Sequence, residues 1–77
     1  MNFKELETVV LNRDLPEHRL RQGDLGAVVH AYEPDGLEVE FVNTAGDTLA
    51  VIPLLESDLR PAEKSDRATT RPVRRSA

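Results

Sequence analysis

Seventy-seven residues with a formal net charge of −4, 39% hydrophobic and 4% aromatic, make one small domain and no more. There is no cysteine, so no disulfide can brace the fold, and no apolar run approaches the roughly 20 residues needed to cross a bilayer. The charge is uneven: through Pro61 there are 5 basic and 12 acidic residues (5 − 12 = −7), and from Ala62 onward 5 basic and 2 acidic (5 − 2 = +3), so the body should repel nucleic-acid phosphates.

The start, MNFKELETVV, lacks a basic stretch followed by a long apolar one, and the expectation is a cytoplasmic chain without a membrane segment. Residues 6–11 (LETVVL) read as the first strand, β-branched at the centre and bounded by NRD. A long polar loop over residues 12–24 follows, with Leu15 and Leu20 folding back onto the core. Residues 26–32, 37–42 and 48–53 read as three further strands, separated by EPDG and NTAGD. A single helical turn in LLESD leads into a closing strand at 59–60. Residues 62–77 have Val73 as their only large apolar side chain and read as a basic, disordered tail beyond a domain of residues 1–61.

The turn chemistry suggests a register. Pro34 presets φ for the first corner of a type I turn, Asp35 suits the second, and Gly36 takes the left-handed position, which places Ala31 opposite Val39, Val29 opposite Phe41, Tyr32 opposite Glu38 and His30 opposite Glu40. A loop over residues 43–47, with Gly46 in its turn, sets Val42 against Thr48, Phe41 against Leu49 and Val39 against Val51. The expected core is then Leu6, Val9, Leu15, Leu20, Leu25, Val29, Leu37, Val39, Phe41, Leu49, Val51, Leu55 and Leu59.

In LRQGDLGAVV, Gly23 and Gly26 could suggest a phosphate loop. A Walker loop needs a lysine followed by serine or threonine and then a helix, and a dinucleotide fingerprint needs three glycines leading into a helix. Here the glycines lead into a strand beside Asp24, so Gly23 serves a turn and Gly26 a bulge or close backbone approach.

Five short bent strands with a long first loop imply an all-β fold, a small SH3-like five-stranded barrel with one helical turn before the last strand. The elements DLP, GDLGAVV, EVEF, GDTLA and LRP, spread over residues 6–61, resemble a family of small bacterial proteins catalogued as domain of unknown function number 4926. More distantly, G-D-x-G-x-V is similar to the strand entry of nitrile hydratase β-type and KOW-type ribosomal domains, a likeness of fold that implies no function.

The chemistry available is thin. His18 lies in a polar loop, and His30 beside Tyr32, Glu38 and Glu40 reads as a cross-strand pair, too few ligands for zinc. The serines fall in the helical turn or the tail, and no carboxylate sits in an apolar stretch that would tune it for catalysis. The expectation is therefore no enzyme, no cofactor and no metal. The primary reading is a protein-interaction module, an accessory, regulatory or immunity-type (antitoxin-like) protein that is a monomer or weak homodimer. Its surface would be Val28, His30, Tyr32, Glu38, Glu40 and Val42 on one face, with His18, Arg19 and Arg21 on the loop. Two alternatives stay open: a KOW-like nucleic-acid binder using the basic tail, and a subunit or assembly factor of a metalloenzyme of nitrile hydratase type.

Overall fold

The computed structural model describes residues 3–43 and 45–69. Its five strands are β1 (Thr8–Leu11), β2 (Leu25–Tyr32), β3 (Gly36–Val42), β4 (Thr48–Leu55) and β5 (Leu59–Pro61). They form one antiparallel sheet in the order β4-β3-β2-β1-β5. Single 3₁₀ turns occupy Pro16–His18 and Glu56–Asp58, the second leading directly into β5 as the sequence implied. The all-β class therefore holds, and the strand order is compatible with an SH3-like arrangement. The barrel does not close, because β4 and β5 are the two edges of the sheet. No described helix is long and apolar enough to cross a membrane.

The sheet bends at two bulges, and both correct the expected register. The hairpin loop is Glu33, Pro34 and Asp35, with a cis Glu33–Pro34 peptide, and it closes between Tyr32 and Gly36. Gly36 opens β3 and is not among the left-handed glycines, which are Gly23 and Gly46. Ala31 accordingly faces Leu37 and His30 faces Glu38. An extra residue at Val29 then shifts the ladder, so that Val28 faces Val39 and Gly26 faces Phe41. In the next hairpin the 43–47 loop and the Val42–Thr48 pair are as expected. A second shift beyond them at Leu49 sets Phe41 against Ala50 and Val39 against Ile52.

These shifts decide the core. Val28, Ile52 and Leu54 are buried, whereas Val29, Val51 and Leu55 face outward. Leu49 and Ala50 pack only partly against the core, Leu25 is half-buried, and Leu6, expected inside, is 83% exposed. The remaining core is Val9, Leu11, Leu15, Leu20, Leu37, Val39, Phe41 and Leu59, together with Phe3 from the N-terminal approach. Val10 alternates away from this cluster yet is fully buried, flanked on neighbouring strands by Leu25 and Arg60.

The glycine-led segment is architectural. Gly23, at φ +97°, sits in a turn that Asp24 holds by accepting the Arg21 amide at 2.9 Å, while Asp14 accepts the Gln22 amide at 2.9 Å. Asp24 is 2% exposed, so one carboxylate does lie deep in the protein, as a turn-former behind the sheet's first long strand. Gly26 lies where a side chain would strike Val39 and Phe41.

The start of the expected tail is ordered. Lys64–Thr69 form a short helix, α1, tied back to β5 by a bidentate Arg60–Asp66 pair at 2.7 and 2.8 Å. The Arg60 guanidinium, then the Glu63 amide, hold the Asp66 carboxyl at about 2. Residues 70–77, the rest of that tail, lie outside the described residues.

Candidate functional site: the outer face of the sheet

With the core on one side of the sheet, the alternate residues of β2, β3 and β4 form an outer face that no other strand among the described residues covers. The pairing orders it in rows. Tyr32, Gly36 and Leu55 make the first, His30, Glu38 and Pro53 the second, Ala27, Glu40 and Val51 the third, and Val42 opposite Thr48 the fourth. Tyr32, Val42, Val51 and Leu55 are large hydrophobic side chains exposed to solvent.

The polar groups are held in place by one another. Tyr32 donates its hydroxyl to Glu38 at 2.9 Å, and the His30 ring meets Tyr32 edge-on with centroids 4.4 Å apart. The His30 Nδ1 lies 3.4 Å from a Glu5 carboxylate oxygen, so the carboxylate it meets is that of Glu5 and not of Glu40. Glu40 accepts a 2.7 Å hydrogen bond from the Thr48 hydroxyl. The bond to Glu38 and that carboxylate's charge raise the Tyr32 phenol above its ordinary value, which leaves it a neutral donor near pH 7. Among the described residues no three or more His, Asp or Glu side chains gather as a metal-holding group.

Two depressions interrupt the face. One, of about 390 Å³, opens over Gly36, whose missing side chain leaves a gap between Tyr32 and Leu55; Pro53, Leu37, Leu54 and the Arg13–Asp58 pair complete its wall. The other, of about 290 Å³, lies over Ala27 and is bounded by Thr8, Leu25, Glu40 and Val42.

Of the side chains singled out from sequence, the fold brings together His30, Tyr32, Glu38, Glu40 and Val42. Val28 is removed from the surface, since the bulge turns it inward and exposes Val29 in its place. His18, Arg19 and Arg21 are exposed on the loop, but it is Arg13 from that loop that lines the depression beside Tyr32. Val51, Pro53 and Leu55 were not legible as surface residues, because the expected register assigned their own parity of β4 to the core, whereas Ile52 and Leu54 are buried. Leu6 gave no signal either: its φ of +70° is unusual for a bulky residue, and its amide donates to the Val28 carbonyl at 2.7 Å.

The end of β4 is fixed by Asp58. Its carboxylate accepts the Arg13 Nε at 2.7 Å and the Leu55 amide at 3.0 Å. Burial alone would raise this carboxyl, but Arg13 and the Leu55 amide outweigh it and leave it below its ordinary value. Asp58→Ala should therefore destabilise the fold by about 2 kcal/mol, the range of a hydrogen bond to a charged group. Arg13→Ala should cost less than Asp58→Ala, because that partner is half exposed and screened by solvent. A group whose folded pKa is depressed stabilises above its unfolded pKa and loses that contribution as pH falls through the folded one. The gap between wild type and Asp58→Ala in urea unfolding should thus be full at pH 7 and shrink below the carboxylate range; a gap that persists in acid refutes the assignment.

The profile of the domain of unknown function DUF4926 matches residues 5–61, from the Glu5 that meets His30 to the end of β5. The chain belongs to the DUF4926 family. No curated protein matches it, and no solved structure does. The DUF4926 match spans all five strands and the whole outer face, and it ends before α1.

Proposed function

We propose that this DUF4926 protein is a non-enzymatic, cytoplasmic interaction module, an accessory, regulatory or immunity-type protein that binds a protein partner through the outer face of β2, β3 and β4. The observation that carries the reading is the continuity of Tyr32, Leu55, Pro53, Val51 and Val42 over adjacent rows of a face that no other strand among the described residues covers. Single exposed apolar residues need no explanation, but a group of them on adjacent rows beside charged residues supports an interaction surface. Tyr32 is suited to such a surface, since it combines a large apolar ring with a hydroxyl already oriented by Glu38.

The test is a photo-crosslinking amino acid placed at Val51 in the native host, with Glu17 on the exposed loop as control. One protein adduct should form from position 51 and not from 17, and Val51→Asp should abolish capture of that protein while changing stability by less than about 0.5 kcal/mol. Absence of any adduct from the face, or equal labelling from both sites, would refute the reading.

A further inference from the structure

The charge and relief of the same face specify the kind of partner. β2, β3 and β4 contain no lysine or arginine, while Glu38 and Glu40 stand on the central strand of the face. Neither glutamate is in an ion pair among the described residues; each instead accepts from a neutral hydroxyl, Tyr32 for Glu38 and Thr48 for Glu40. Those hydroxyls orient the carboxylates without neutralising them, so little side-chain freedom is left to lose when a cation arrives. We propose that the partner presents a cationic extended segment, which sets apolar side chains into the depressions over Gly36 and Ala27 and lysine or arginine against Glu38 and Glu40. This rests on the interaction reading above.

Other occupants fit less well. A second copy would bring the same acidic face or the same −7 body against Glu38 and Glu40. A nucleic acid would bring phosphates against Glu38 and Glu40, on strands that hold no lysine or arginine. Addition of a sixth strand to β4 is obstructed as well. Pro53 has no N–H, so its pair with Glu38 exchanges no ladder bond, and Val51, Pro53 and Leu55 turn their backbone groups toward the free edge. On that edge Pro53 offers no donor and the Leu55 amide is already taken by Asp58. The segment therefore lies across the face. From Gly36 to Glu40 is four residues of β3, about 13 Å at 3.3 Å per residue, so a short stretch bridges both depressions.

The probe is a lysine–leucine peptide of about ten residues, long enough at roughly 3.3 Å per residue to cross the face, with a glutamate–leucine peptide of the same pattern as control. Titrated into the ¹⁵N-labelled full chain, the cationic peptide should shift the amides of Tyr32, Glu38, Glu40, Val42 and Val51, and added salt should weaken it. The double variant Glu38→Gln/Glu40→Gln should bind about tenfold more weakly, the scale of two exposed ion pairs. Shifts centred elsewhere, no cationic binding, or equal binding of the acidic peptide would overturn the proposal. A crosslinked partner whose contacting segment holds no lysine or arginine would also overturn it and leave the interaction reading intact, whereas failure to crosslink at all would remove both.

Discussion

Val28→Asp should destabilise the chain by about 3–5 kcal/mol, while Val29→Asp, one residue along, should change stability by less than about 0.5 kcal/mol. The two valines are chemically identical neighbours, and only the bulge separates their fates. Val28 has 0% exposure, packs in the cluster with Val39 and Phe41, and has both its backbone groups bonded to the N-terminal approach, its amide to Glu7 and its carbonyl to Leu6. An aspartate there is either a buried charge or a carboxylic acid without a partner, at a cost of about 3–5 kcal/mol. At about 0.05–0.15 kcal/mol per residue, roughly sixty residues hold only about 3–9 kcal/mol, so at the middle of that range the cost consumes half or more of the stability. Val29 is 38% exposed, and its carboxylate replacement would remain in water. Circular dichroism and urea titration of the pair decide the matter. Equal damage from both, or greater damage at Val29, would mean that the ladder runs in the register expected from EPDG and that no bulge is present.

That contrast marks where the sequence stops being informative. The polarity of single positions was readable wherever apolar and polar residues alternate. In LEVEF the inward Leu37, Val39 and Phe41 are separated by Glu38 and Glu40, and all three are buried as expected. Turn chemistry was readable in the second hairpin, though not in EPDG, where Gly36 opens β3 without a left-handed conformation. The 43–47 loop closes on the Asn43 side chain, which accepts the Ala45 and Asp47 amides at 2.9 and 3.0 Å, and Gly46 takes its left-handed position. The runs AVV and LAVIPLL, by contrast, are apolar at both parities. A one-residue shift there exchanges the buried and exposed sets without violating any local rule. Four of the misplaced residues, Val28, Val29, Val51 and Leu55, lie in such runs. For the same reason the site was half visible: its charged half fell on alternating positions and its apolar half on ambiguous ones. The Tyr32–Glu38 contact was expected, but between directly opposed residues. It is made diagonally instead, because Tyr32 stands opposite Gly36 and a tyrosine reaches two positions along the partner strand. Helix α1 left no trace in hydrophobic period because what holds it is the Arg60–Asp66 pair, which no periodicity records.

The second large effect concerns the glycine at the start of β2. Gly26→Ala should destabilise the fold by about 3 kcal/mol, at the upper end of the range for forcing atoms into a packed core. A methyl group there would come within 2.7 Å of Val39 Cγ1, 2.9 Å of Phe41 Cε1 and 3.0 Å of the Glu40 carbonyl oxygen. Two of these belong to side chains at most 1% exposed, and the third is backbone of the central strand, so none can withdraw into solvent. For a domain of this size the loss corresponds to a fall in Tm of roughly 15 °C. Gly23→Ala is the fitting comparison. No heavy atom lies within 4 Å of the added carbon, and the φ of +97° makes the cost purely conformational, about 1 kcal/mol or a little more. The mechanism at Gly26 can be separated from a general intolerance of the strand by a double-mutant cycle with Phe41→Leu, which removes the ring edge that the methyl would strike. If the close approach is the cause, the two changes should couple favourably by about 1 kcal/mol, as expected for residues in contact. Strict additivity, or a Gly26→Ala protein as stable as wild type, would mean that β2 and β3 do not meet as closely as Gly26, Val39 and Phe41 require. The outer face depends on the same juxtaposition, since Glu40 stands between Val39 and Phe41 on the opposite side of β3 and next to Gly26 along the depression over Ala27. The alanine variant, even where folded, should therefore also bind the lysine–leucine peptide more weakly than wild type.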